Sequence, residues 1–188
     1  MLTTLAIFIG SILGLLLISA FFSGSETALT AVSKARIRHL SDEGNKKAEV
    51  VETLNAQQDT LISTLLLGNN LVNILASALT TSLFISIFGD VGVIIATIIM
   101  TSLVVIFAEI LPKVLALKYS DRWALKAALF IKITVKILGP IANLAQKASS
   151  YFVKDNNNSE KLVDAHDELR GQISIHHQEG EVKKGDRD

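Results

Sequence analysis

The chain has 188 residues, a length that one domain fills, and its 49% hydrophobic fraction and mean hydropathy of +0.44 are high for a water-soluble domain. Its 18 Lys and Arg balance 18 Asp and Glu, and no basic cluster with interleaved aromatics is present, so nothing points to a nucleic-acid partner. The absence of cysteine excludes disulfides, thiolate metal sites and cysteine nucleophiles.

The charges are unevenly spread. From Met1 to Ser33 the only charged side chain is Glu26, and from Thr60 to Leu117 the only ones are Asp90, Glu109 and Lys113. An apolar helix needs about 20 residues to cross a bilayer. Three spans are therefore predicted, at 3–32, 60–88 and 91–117, with Phe88-Gly89-Asp90-Val91-Gly92 as the turn between the last two. The first span lacks both a basic stretch before it and a small-residue cleavage pattern after it, so it reads as a retained span. Ser23-Gly24-Ser25 is expected to kink it.

Lys34, Arg36 and Arg38 follow the first span, and Lys113, Lys118, Arg122 and Lys126 cluster around the end of the third. By the positive-inside rule the N-terminus is expected outside and the C-terminus in the cytoplasm. Residues 33–58 read as juxtamembrane helices with a turn at Asp42-Glu43-Gly44-Asn45. Residues 120–153 read as an interfacial belt. At about 100° per residue, Lys118, Arg122, Lys126, Lys132 and Lys136 fall within about 120° of one another, with Trp123, Phe130, Val135 and Leu138 elsewhere around the wheel. A soluble amphipathic helix is the alternative, since the same pattern serves both. Gly139-Pro140 is expected to divide the belt, with Ile141 to Val153 as its second helix. Residues 154–188 form a polar linker followed by a segment with a thin apolar stripe, Leu162, Leu169 and Ile173, and a cytoplasmic continuation is expected beyond them. The fold class is an all-α membrane protein: three transmembrane helices, the first kinked, with juxtamembrane and belt helices.

Polar groups inside a span are costly and call for a partner or a function. Each span holds one cluster. In Phe21-Phe22-Ser23-Gly24-Ser25-Glu26-Thr27, a break at Gly24 would expose carbonyls, whereas the alternative is a small-residue packing seam. In Gly68-Asn69-Asn70, followed by Asn73, Asn69 and Asn73 share a helix face and Asn70 points about 100° away; hydrogen bonding between helices is the alternative. In Phe107-Ala108-Glu109-Ile110-Leu111-Pro112-Lys113, Pro112 cannot donate to the Ala108 carbonyl, which places a free oxygen beside the Glu109 carboxylate. A Glu109–Lys113 ion pair at i, i+4 is the alternative there.

Together these clusters offer a carboxylate, hydroxyls, amide oxygens and freed carbonyls, an all-oxygen set suited to a hard cation. His39, His166, His176 and His177 all lie outside the spans, which argues against a transition metal within the membrane. The same placement leaves an intramembrane serine without a base, and no HExxH, P-loop or dinucleotide fingerprint is present, so no enzyme activity is expected.

Phe22-Ser23-Gly24-Ser25-Glu26-Thr27-Ala28-Leu29, Leu67-Gly68-Asn69-Asn70-Leu71 and Glu109-Ile110-Leu111-Pro112-Lys113, in this order, resemble the signature segments of the CorC/CNNM transmembrane domain. The resemblance covers about residues 1–155, with 1–153 as the transport domain, and the tail is similar to the start of the acidic helical segment that follows in that family. It implies a homodimeric Mg²⁺ transporter of the bacterial inner (plasma) membrane, associated with export and coupling to Na⁺ entry. The implied Mg²⁺ ligands are Ser23, Ser25, Gly68 through its carbonyl, Asn69, Asn70 and Glu109, with the Ala108 carbonyl as a further backbone ligand and Gly24 and Pro112 as kink positions. The family's CBS module and C-terminal domain are not found in these residues. Two competing readings are a Mg²⁺-sensing scaffold without flux and a Na⁺ or proton pathway in which Glu109 titrates.

Overall fold

The computed structural model describes residues 2–152, with side chains from 3 to 148. Its chain divides into two units, Met1–Gln146 and Lys147–Asp188, and of the second only the end of one helix lies among the described residues. The linker from Asp155 and the stripe of Leu162, Leu169 and Ile173 lie outside them. The described residues form helices and turns only: α1 (Leu2–Ala31), α2 (Lys34–Asp42), α3 (Lys46–Ala56), α4 (Gln58–Phe88), α5 (Val91–Leu103), a π-helical segment (Val104–Ile110), α6 (Leu111–Lys118) and α7 (Ser120–Phe152).

Four helical stretches are long and apolar enough to cross a membrane: Thr3–Ala31, Gln58–Phe88, Val91–Lys118 and Ser120–Ala148. The first three coincide with the predicted spans. Many of their large apolar side chains, including Leu13, Leu17, Ile74, Ile98 and Ile110, are exposed, which suits contact with lipid. The two juxtamembrane helices also form where expected. Ser33 caps α2 by accepting from the Arg36 N–H at 3.4 Å, and Asn45 caps α3 by accepting from Lys47 and Ala48. Gly89 takes φ +60° at the turn after α4, a conformation costly for any residue with a Cβ.

α1 and α4 run antiparallel. Ser19 reaches Asn69, and two helical turns further along the pair Ile12 and Ala76 share a core cluster with Leu16, Met100 and Ala108. A larger cluster at the other end joins Phe22, Leu61 and Leu65 of the spans to Ile37 and Val51 of α2 and α3 and to Ala128 and Ile131 of α7.

The structure corrects the expected division of the belt at Gly139-Pro140. α7 runs unbroken from Ser120 to Phe152. Proline disfavours helix in the residue before it by crowding that residue's Cβ, and Gly139 has none. Only the hydrogen bond from position 140 is lost, and Pro140 is exposed.

The ends of α7 meet the same end of the bundle. At its start, Asp121 accepts from the Ser33 N–H at 3.3 Å and pairs with Arg36 at 3.2 Å. Towards its far end, Asn143 accepts from Thr60 at 3.0 Å, and Gln146 donates to Asp59 O and Ser63 Oγ. Ser33 follows the end of α1 on this side, and Asp59 lies in the first turn of α4.

Candidate cation site between the spans

The expected kink of α1 is not seen as a break, because Leu2–Ala31 is one continuous α-helix through Ser23-Gly24-Ser25. The small residues serve a close approach instead. A Cβ on Gly24 would lie 2.5 Å from Cζ2 of Trp123, so the indole of α7 sits directly against the α1 backbone. From there Trp123 Nε1 donates to Ser25 Oγ at 3.2 Å. Gly68 of α4 plays a similar part, since a Cβ there would stand 3.1 Å from the Phe22 ring.

The departure from α geometry lies in the third span. Leu111 N–H donates to Ile106 O, five residues back, and closes the π-helical segment that carries Ala108 and Glu109. Pro112 follows at the start of α6 and has no N–H with which to restore the α register. Single π-helical turns of this kind recur at functional sites, because they re-aim side chains and carbonyls within a helix.

The oxygens divide into satisfied and unsatisfied. Ser23 and Ser25 are both fully buried; Ser25 accepts from Trp123, whereas Ser23 Oγ has no partner. Asn69 is 6% exposed, and its Oδ1 accepts from Ser19 Oγ at 2.7 Å. Asn73 Oδ1 is buried without a partner, as is Thr64 Oγ1. Asn70 is exposed, in line with its offset from Asn69 around the helix. Glu109 is half-buried, Ala108 is fully buried, and Lys113 is exposed and makes no ion pair with Glu109. The intrahelical alternative for that cluster is therefore not adopted.

α1 packs on α4, on the π-helical segment and on α6, so the helix with the first polar cluster touches the helices that carry the other two. Among the described residues no group of three or more His, Asp and Glu side chains could hold a metal. A cation here would rely on hydroxyl, amide and carbonyl oxygens around one carboxylate.

Two participants escaped the sequence reading. Ser19 stands one helical turn before Ser23, a spacing that signals a shared face. Trp123 is remote in sequence, and nothing in the chain foretold its bond to Ser25.

The cyclin M transmembrane N-terminal domain model matches residues 10–186, reaching beyond the 1–155 covered by the motif resemblance. A UPF0053 protein of Haemophilus influenzae is 38% identical over 162 residues, 85% of this chain and 39% of the relative. The UPF0053 inner membrane protein YfjD of Escherichia coli is 53% identical over 57 residues, 30% of this chain and 13% of the relative. The chain thus spans well under half the length of these curated relatives. With its several apolar helices and a family match over most of its length, this multi-pass membrane protein belongs to the CorC/CNNM transmembrane-domain family.

Proposed function

We propose that the chain moves Mg²⁺ across the membrane, through a site where the three polar clusters of the spans converge. The observation that carries this reading is Ser23 Oγ, fully buried at membrane depth and without a partner, on a helix packed against both α4 and the π-helical segment that bears Glu109. An unpaired buried hydroxyl costs about 1–3 kcal/mol, which a cation would recover. Mg²⁺ prefers six oxygens at about 2.0–2.1 Å and sheds water reluctantly. Ser23, Ser25, the Gly68 carbonyl, Asn69, Asn70, the Ala108 carbonyl and Glu109 supply such oxygens, with Glu109 as the one negative charge. Export coupled to Na⁺ entry is the direction we assign, following the family resemblance.

Three crossings are proposed, with α7 as a belt. Both ends of α7 touch the end of the bundle where α1 finishes and α4 begins, whereas a fourth crossing would carry its far end away. Lys34, Arg36, Arg38 and Lys118 gather at that same end, which supports a cytoplasmic assignment for it and an N-terminus outside. The name of the E. coli relative places that protein in the inner membrane, and the same membrane is proposed here. A second copy of the chain is proposed against the groove of about 430 Å³ between α4 and α5, lined by Asn73, Ser77, Thr81, Thr97 and Thr101.

Mg²⁺ flux in proteoliposomes of this chain, with and without a Na⁺ gradient, tests the reading against Glu109→Gln and Asn70→Ala. Flux that the variants abolish is expected, and its dependence on the Na⁺ gradient decides coupling. Binding without flux would assign a sensor instead, and flux that ignores Mg²⁺ but follows pH or Na⁺ would assign Glu109 to a monovalent pathway.

A further inference from the structure

A cavity of about 520 Å³ opens beside the start of α7, lined by Phe21, Tyr119, Arg122, Trp123, Lys126 and Ala127. Its volume falls within the roughly 300–1,000 Å³ of small-ligand pockets. Its chemistry is divided. Phe21, Trp123 and Ala127 form an apolar wall backed by Phe130, whose ring centroid lies 5.0 Å from that of Phe21. Arg122 and Lys126, one helical turn apart, bring two positive charges to its edge.

Arg122 and Lys126 make no ion pair among the described residues, and the neighbouring carboxylate, Asp121, is already engaged by Arg36 and the Ser33 N–H. The cavity wall is also fixed in advance. Trp123 is pinned by its bond to Ser25 and by its contact with the backbone at Gly24, so a ligand would meet a preset indole. The cavity lies at the end of the bundle that holds Lys34, Arg36 and Lys118, where Tyr and Trp mark the level of lipid headgroups.

We propose that this cavity is a binding site for the phosphate headgroup of an anionic phospholipid, with Arg122 and Lys126 on the phosphate and the acyl chains against Phe21, Trp123 and Ala127. Basic pockets between helices at the cytoplasmic surface recognise anionic headgroups in this way. The site goes beyond the proposed ion pathway and stands whether or not the chain transports Mg²⁺.

Trp123 is the only tryptophan in the chain, so its fluorescence reports the cavity without labelling. The full chain is reconstituted in phosphatidylcholine nanodiscs, into which brominated phosphatidylglycerol or brominated phosphatidylcholine is titrated as quencher. Half-quenching by the anionic lipid is expected at a mole fraction roughly thirtyfold lower, from two basic side chains at the surface. The Arg122→Gln/Lys126→Gln double variant should lose this preference and be quenched equally by both lipids. Its Trp123 emission in phosphatidylcholine alone should match the unsubstituted chain, because both replaced side chains are exposed. Equal quenching of the unsubstituted chain by both lipids would mean ordinary annular lipid and overturn the proposal, as would a preference that survives in the variant. Inorganic phosphate added at constant ionic strength should not relieve the quenching; if it does, the cavity serves a soluble anion and the lipid assignment fails.

Discussion

Ser19 Oγ donates to Asn69 Oδ1 across 2.7 Å, a buried bond that ties the middle of α1 to the middle of α4. It orients the Asn69 amide and leaves one lone pair of its oxygen for another partner. Hydrogen bonds between membrane helices average about 0.6 kcal/mol in double-mutant cycles and reach about 1.7. A cycle of Ser19→Ala, Asn69→Ala and the double variant should give a coupling energy in that range when unfolding is followed in mixed micelles. Additive effects would show that the bond contributes no stability.

Gly24→Ala places a methyl against the Trp123 ring at 2.5 Å, and the indole has to move. Overpacking of this kind costs about 1–3 kcal/mol. The variant should unfold at lower temperature and shift the emission of Trp123, because its hydrogen bond to Ser25 is strained at the same time. Gly14→Ala in the same helix meets open space and should leave emission unchanged and stability unchanged or raised by up to about 1 kcal/mol. Equal effects of the two substitutions would show that Gly24 has no special packing role.

The spans, the juxtamembrane turn and the turn at Gly89 are legible in the sequence because each rests on local physics: apolar length, caps, and a glycine at positive φ. What Gly24 does is not legible, because the same Ser-Gly-Ser run fits a kinked helix and a surface for a bulky neighbour. The choice depends on Trp123, about 100 positions along the chain. Pro112 was readable as a disturbance to the third span, but the form it takes, a π-helical segment ending at Ile110, depends on how Ala108 packs in the core beside Met100 and Ile12. The path of α7 was half legible. Its basic and apolar faces can be read from spacing, whereas Gly139-Pro140 fits both a break and a continuous helix, which survives because Gly139 has no Cβ for the proline ring to crowd.

Pro112→Ala supplies the N–H that the third span lacks and removes a residue that costs about 3 kcal/mol inside a helix. The π-helical segment then competes with a regular α-helix, which would turn Glu109 by about 100° relative to the residues after it. Thermal stability should be unchanged or higher, while Mg²⁺ flux falls at least about tenfold, equivalent to about 1.4 kcal/mol lost from the productive geometry. Undiminished flux would separate the π-helical segment from the transport pathway.

Ser23→Ala separates a ligand from a packing residue. The Ser23 hydroxyl is fully buried and unpartnered, so in the empty protein it opposes folding, and its removal should stabilise the chain or leave it unchanged when thermal unfolding is measured without Mg²⁺. If the hydroxyl binds the ion, the same variant should gain less stability from added Mg²⁺ than the unsubstituted chain, since ligand stabilisation follows affinity. A fall in stability without Mg²⁺ together with an unchanged Mg²⁺-dependent gain would make Ser23 part of the helix seam. Stability retained while the Mg²⁺-dependent gain is lost would make the hydroxyl a ligand, since a seam residue has no reason to be felt only when the ion is present.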